Sequence, residues 1–311
     1  MAAHKSKFSV TILGSNSALP ANGRNPTSQL LNVNNHYYLI DCGEGTQMQL
    51  RKFGVKMQRI KVIFISHMHG DHYFGLVGLL NSLHLLGRKM PLAIYAPKAL
   101  QDIVRLQLDA SGGRLQFPIQ FHEIIPPAQG TSVIYDDNEL HVECFRLKHR
   151  IPCSGFLFRE QLKERTYLPD KGGRAGVKVE EIPTLKKGED VVREDGSVIQ
   201  FSDFTDDPPS PRTYAFCTDT LALDSTAEIV RGAECLYHEA TFLESEIDRS
   251  KQTFHSTAKQ AAQVALAANV GKLLIGHYSA RYNSLDDHLA ESQSVFANTE
   301  LTSEGKEFEI N

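Results

Sequence analysis

Four potential metal ligands fall within six residues, His67-Met68-His69-Gly70-Asp71-His72, directly after the apolar run Val62-Ile63-Phe64-Ile65. Side chains two apart in an extended segment point the same way, so His67 and His69 can hold one ion. A sharp turn at Gly70 would then let Asp71 and His72 reach a second ion. Imidazole and carboxylate ligands without cysteine suit a zinc site that activates water, not a sulfur-rich structural site. Three further candidates each follow an apolar run: His149 after Cys144-Phe145-Arg146-Leu147-Lys148, Asp219 after Tyr214-Ala215-Phe216-Cys217-Thr218, and His277 after Leu273-Leu274-Ile275-Gly276. Ligands at strand ends make a rigid constellation, because the sheet fixes each Cα while the loops stay open to substrate. Two zinc ions about 3.5–4 Å apart take a bridging carboxylate and terminal ligands from both sides. The cluster supplies four such groups and the strand ends three.

The elements that must position these residues alternate between strand and helix. Strands are predicted at Phe8–Leu13, at Gln29–Val33 and His36–Ile40 flanking the turn Asn34-Asn35, and at Arg59–Ser66. Further strands follow at Leu92–Tyr95, Phe121–Ile125, Ser132–Tyr135, Leu140–Leu147, Thr213–Cys217, Glu234–Tyr237 and Lys272–Ile275. Helices are predicted at Tyr73–Leu86, Pro97–Asp109 and Thr257–Asn269, the last stopped by Gly271. This alternation implies a mixed α/β fold.

The chain of 311 residues has a formal charge of −4 and an ordinary globular composition. That charge argues against indiscriminate nucleic-acid binding but not against a specific RNA. No run approaches a membrane span and no signal-peptide pattern opens the chain. Five scattered cysteines without a CxxC pair read as small core residues in a reducing compartment, so a cytoplasmic location without membrane contact is expected. One segment breaks the pattern. Between Arg159 and Asp195 nine Lys or Arg alternate with nine Asp or Glu, among glycines and few apolar runs. A segment so charged buries little of itself, and reads as a flexible functional insertion or a solvated linker.

The histidine cluster, preceded by Leu39-Ile40-Asp41-Cys42-Gly43-Glu44-Gly45-Thr46-Gln47, resembles the metallo-β-lactamase superfamily. With His238-Glu239-Ala240-Thr241, His255-Ser256-Thr257 and Gly276-His277-Tyr278-Ser279-Ala280-Arg281-Tyr282, the chain more narrowly resembles the ribonuclease Z family, from about Phe8 to its C-terminus. The resemblance implies a single domain over residues 1–311, a four-layer αββα sandwich, with an inserted flexible arm at 156–202 that protrudes and grips tRNA. It implies two zinc ions, one held by His67, His69 and His149 and the other by Asp71, His72 and His277, with Asp219 bridging. Asp41 would support the metal-binding loop from behind. Lys171, Arg174 and Lys178 would contact phosphates from the arm. Arg24 and Asn25 would sit in a loop that inspects the tRNA 3′ end, with Asn22 where the family often has lysine.

The implied activity is zinc-dependent endonucleolytic removal of the 3′ trailer from precursor tRNA, by a homodimer. Asp71 would act as base, and His255 buttressed by Glu239 as acid toward the departing ribose oxygen. Two alternatives stand beside it. Another dinuclear zinc hydrolase acting on a small ester, lactone or phosphodiester would need neither His255 nor Glu239, and a non-catalytic RNA-binding member would lack the metals.

Overall fold

Period-two alternation divides the strand side chains between an inner core and two outer ones, and this division builds the scaffold of the site. The computed structural model describes residues 7–112 and 114–311. Its contacts separate two units, Met1–Arg159 with Arg212–Asn311, and Glu160–Pro211.

The larger unit holds two seven-stranded sheets. In spatial order the first runs Glu307–Glu309, Phe8–Gly14, Ser28–Val33, His36–Ile40, Ile60–Phe64, Leu92–Ala96 and Ile119–Glu123. The second runs Thr299–Leu301, Lys272–Gly276, Cys235–Glu239, Thr213–Cys217, Cys153–Glu160, Leu140–Leu147 and Thr131–Asp136. Val10, Tyr38 and Phe64 from the first sheet meet Phe156, Phe158, Tyr214 and Tyr237 from the second in one buried cluster. The intervening residues face the other way. Leu39, Ile63 and Ile65 pack on Leu76, Leu79, Leu83 and Leu100 of outer helices. Ala215, Leu236 and Leu273 pack on Ala258, Ala261, Ala262 and Ala265. The result is the expected helix–sheet–sheet–helix sandwich. Phe64 is the aromatic centre of the inner core, with Tyr95, Phe156 and Phe158 rings at 5.4, 5.8 and 5.4 Å.

All five cysteines are buried and free. The alanine-rich helix spans Ala258–Ala268 and opens on a capping box in which Thr257 and Gln260 each bond the other's backbone. It is stopped not by Gly271 but by Asn269, which takes the left-handed conformation at φ 50°. The helix expected from Tyr73 begins only at Leu76: Tyr73 closes a separate short helix, Gly70–Tyr73, and the N-cap is Gly75. A Cβ there would lie 2.1 Å from the Gly43 carbonyl oxygen, so the glycine admits the loop that follows Ile40.

The expected insertion at 156–202 begins too early and ends too soon. Phe156, Leu157 and Phe158 belong to the buried strand Cys153–Glu160, and the separate unit is Glu160–Pro211. Within that unit the sequence is not structureless. Helices form at Pro169–Arg174, Ile182–Lys186 and Phe201–Phe204, and Thr166–Tyr167 pairs with Thr205–Asp206 and Val191–Val192 with Val198–Ile199. Glu181 and Arg193 form a two-pronged pair at 2.7 Å, and the Arg165 guanidinium lies 4.7 Å over the Phe201 ring.

Candidate metal centre and active site

Parallel strands deliver most of the site from their C-terminal ends. In the first sheet His36–Ile40 and Ile60–Phe64 run parallel, so Asp41 and the His67 cluster emerge side by side. In the second, Thr213–Cys217, Cys235–Glu239 and Lys272–Gly276 run parallel and end at Asp219, Glu239 and His277. All seven proposed ligands converge. His67 Nε2 and His149 Nε2 lie 3.0 and 3.1 Å from His69 Nδ1, and each is 3.6 Å from Asp219 Oδ2. On the other side His72 Nε2 and His277 Nε2 lie 3.2 and 3.1 Å from Asp219 Oδ1, and 3.5 and 3.6 Å from Asp71 Oδ2. One oxygen of Asp219 therefore faces each ligand group. Bonds of 2.0–2.1 Å in a tetrahedron put donor atoms about 3.3 Å apart, which is the spacing found here.

The donor chemistry fits cations at both positions. Four of the five imidazoles have the far nitrogen fixed: His67 Nδ1 donates to Ser66 Oγ, His72 Nδ1 to Asp41 Oδ2, His149 Nδ1 to the Phe254 carbonyl and His277 Nδ1 to Thr241 Oγ1, at 2.7–3.0 Å. The near nitrogens are thus lone-pair donors, and those of His72 and His277 are buried without a hydrogen-bond partner. Burial opposes charge on His72, yet Asp219, Asp71 and Asp41 raise its pKa well above the usual imidazole value. The position calls for a positive charge. Burial likewise opposes ionisation of Asp219, but His277, His72 and His67 hold it well below the usual carboxylate range.

Asp41 anchors this arrangement. Its carboxylate accepts from Ser66 N at 2.7 Å, Ser66 Oγ at 2.9 Å and His72 Nδ1 at 2.7 Å, and its backbone sits at φ 56°. Asp71 is also tethered, accepting from Ala18 N at 2.7 Å. Gly70 does not turn the chain sharply as expected. It opens the short helix Gly70–Tyr73, and a Cβ on it would strike the Phe74 ring at 2.2 Å. His277 and Phe254 both hold the left-handed region, at φ 61° and 59°, a strain that clusters at functional sites. At Phe254 the conformation presents a carbonyl to His149 and admits His255 to the site.

His255 Nδ1 donates to Glu239 Oε1 at 2.8 Å. The Glu239 carboxylate is fully buried and also accepts from Thr220 N, Thr241 N and Thr241 Oγ1. Burial works against charge on His255, but Glu239 raises its pKa to about 9. Burial also opposes charge on Glu239, which His255 and neighbouring groups nevertheless hold down at about 2. The ring of His255 lies 5.1 and 5.4 Å from those of His149 and His277. His255 lines, with His69, Asp71, Asp219 and His277, a cleft of about 340 Å³.

Sequence reasoning missed Ser66 and Thr241. Thr241 Oγ1 donates to Glu239 and accepts from His277, so one hydroxyl joins the Glu239–His255 pair to a candidate metal ligand. It lies inside the His238-Glu239-Ala240-Thr241 signature, the one signal that marks it. Arg24 and Asn25 do not line the cleft. Arg24 bonds Asn16 Oδ1 and the Tyr282 carbonyl, and Asn25 bonds Glu304, while Asn22 bonds the carbonyls of Ala280 and Tyr282. Lys171 and Arg174 lie exposed on the short helix Pro169–Arg174, and Lys178 is exposed just after it.

Comparison with known proteins bears on these features. A family model described as the anti-Pycsar protein Apyc1 matches residues 8–169. That stretch carries five of the seven ligands and ends before Asp219, Glu239, His255 and His277. Ribonuclease Z of Bacteroides fragilis is 44% identical over 298 residues, covering 96% of this chain and 97% of the relative. Ribonuclease Z of Parabacteroides distasonis is 42% identical over 303 residues, covering 97% and 99%. The solved structure of human short-form tRNase Z superposes with a TM-score of 0.71 at 28% identity, covering 97% of this chain and 99% of that one. The chain thus carries the Apyc1-type region over residues 8–169 and, over nearly all of its length, belongs to the ribonuclease Z family.

Proposed function

We propose that this chain is a zinc-dependent endoribonuclease that removes the 3′ trailer from precursor tRNA, leaving a 3′ hydroxyl on the tRNA and a 5′ phosphate on the trailer. The observation that carries it is the Glu239–His255 pair, a fully buried carboxylate holding a ring that lines the cleft beside the candidate metal ligands. Hydrolysis at the ribose 3′ oxygen expels a poor leaving group that needs a proton, and this pair is built to hold one. The relatives named ribonuclease Z and the structural likeness to tRNase Z support tRNA as the substrate.

Two zinc ions, held as the two faces of Asp219 divide the ligands, would supply Lewis-acid stabilisation of phosphoryl oxygen and a water acidic enough to react near neutral pH. Asp71, ionised and lining the cleft, accepts the proton of the attacking water. His255 delivers its proton to the departing 3′ oxygen while Glu239 fixes the ring and favours its charged form. Arg24 and Asn25 contribute by shaping the loop near the tRNA end, since their side chains are engaged within the protein. The exposed Lys171, Arg174 and Lys178 make the unit at Glu160–Pro211 an arm for tRNA phosphates, in a cytoplasmic homodimer whose one arm serves the other subunit's site. Among the described residues no helix is long and apolar enough to cross a membrane.

The test is incubation of purified protein and zinc with a precursor tRNA carrying a 3′ trailer, with both new ends mapped. A single cut at the mature 3′ end, and close to two zinc ions per chain, are expected. An intact precursor or scattered cuts would refute the proposal.

A further inference from the structure

Phe74 is 65% exposed although it follows the metal-binding motif by two residues. Isolated exposed apolar side chains are ordinary on protein surfaces. Phe74 differs in where it stands. It lines the same cleft as His69, Asp71, His255 and His277, whose other walls are polar or small, and it is the one aromatic carbocycle there. Its backbone N–H closes on the Gly70 carbonyl at 2.9 Å, so one helical turn ties it to the ligand Asp71. The ring rests over Gly70, where a Cβ would approach three ring carbons at 2.2, 2.3 and 2.7 Å. The edge of Tyr73 supports it, with centroids 5.0 Å apart at 73°. The glycine in the motif therefore gives a seat to an aromatic ring that buries little of its own surface in this chain.

We propose that Phe74 is a stacking platform for the nucleobase of one of the two nucleotides flanking the scissile phosphate. The inference rests on the endoribonuclease reading above and deepens it. A base has a π-face whatever its identity, so stacking on phenylalanine grips the strand without selecting sequence. The other cleft residues are histidines and carboxylates with partners in the site, and small side chains, so Phe74 offers the cleft's one exposed carbocyclic face. Phe74 thus places the backbone of an unpaired strand against the ligands of the reacting centre.

The experiment measures binding and cleavage separately for precursor tRNA and for two analogues, each abasic at one flanking nucleotide. Phe74→Ala should weaken binding and raise KM for the precursor roughly 5- to 150-fold, the range for loss of a base-stacking aromatic. Phe74→Tyr should restore both, and Phe74→Leu should not. On the analogue abasic at the stacked position, wild type and Phe74→Ala should bind alike. Equal losses from Phe74→Ala on all three RNAs would overturn the platform, as would full rescue by leucine or a change of oligomeric state that accounts for the loss. Failure of wild type to cut the precursor, with binding still dependent on the flanking base, would refute the activity and leave the platform standing.

Discussion

Asp41→Asn isolates how a buried carboxylate sets the chemistry of a metal ligand it never replaces. The substitution keeps shape, and asparagine tolerates the left-handed backbone at φ 56°. It leaves one acceptor oxygen where the structure uses two. Oδ1 serves Ser66 N, while Oδ2 serves Ser66 Oγ and His72 Nδ1. If the amide oxygen stays on Ser66 N, the new NH₂ faces His72 Nδ1. The ring must then accept there and carry its proton on Nε2, the atom 3.2 Å from Asp219 Oδ1 that must be a lone pair to bind metal. Loss of such a supporting partner typically weakens metal binding about 10- to 100-fold. If the amide flips instead, its NH₂ meets the buried Ser66 N–H, and a donor without an acceptor costs about 1–3 kcal/mol of folding stability.

Metal affinity measured against a chromogenic chelator, and urea unfolding in excess chelator, distinguish the two branches. The expected result is a weakened metal position at Asp71, His72 and His277, or a stability loss in the stated range. Asp41→Ala, which strands all three donors and strains a Cβ in the left-handed region, should lose more stability than Asp41→Asn. An Asp41→Asn protein unchanged in both affinity and stability would refute the tautomer argument.

His255→Ala should retain its metal and slow trailer removal about 10²- to 10⁴-fold, with a smaller loss on a nitrophenyl phosphodiester whose leaving group needs no proton; equal losses on both would assign His255 a structural part. Replacing Lys171, Arg174 and Lys178 by alanine should raise KM for precursor tRNA and reduce the salt dependence of binding, with hydrolysis of the small diester unchanged. His288 is fully buried between the Tyr278 and Tyr282 rings, and burial, aided by Arg24, lowers its pKa to about 4. The folded state thus resists protonation. Its full contribution holds above about pH 6.5, and about 2 kcal/mol is lost between pH 7.5 and 5.0, a loss that His288→Phe should remove from the urea-unfolding difference between those pH values.

What was legible in the sequence, and what was not, follows from how each interaction is specified. The ligand cluster could be read because four chemically unusual residues share one loop, and the strand-end ligands because an apolar run announces the edge at which each emerges. The four layers came only from the family resemblance, because runs such as Tyr37-Tyr38-Leu39-Ile40 are apolar throughout and only the fold sends Tyr38 inward and Leu39 outward. The edge strands Thr299–Leu301 and Glu307–Glu309 carry no such signal. They are three residues long, and the second owes its existence to pairing across the whole chain, Ser9 with Glu309. The insertion boundary slipped because the start at 156 came from the resemblance and not from composition, and so took Phe156, Leu157 and Phe158 out of the buried strand Cys153–Glu160.

The hydroxyls of Ser66 and Thr241 pose a harder problem. Serine and threonine are common; Ser66 carries no mark of its own and Thr241 only its place in the His238-Glu239-Ala240-Thr241 signature, until the fold sets each oxygen between a carboxylate and an imidazole. Their contribution depends on direction, since each donates to an acid and accepts from a histidine, which leaves the metal-facing nitrogen bare. Thr241 extends that logic across the cleft. Its single hydroxyl links Glu239, the partner of His255, to His277 on the other side. Two histidines with ring centres 5.4 Å apart, one bonded to a carboxylate and the other to a hydroxyl, are thereby joined in one network. Residue spacing marks where the candidate ligands gather, whereas the partner that each ring nitrogen finds is decided only in three dimensions.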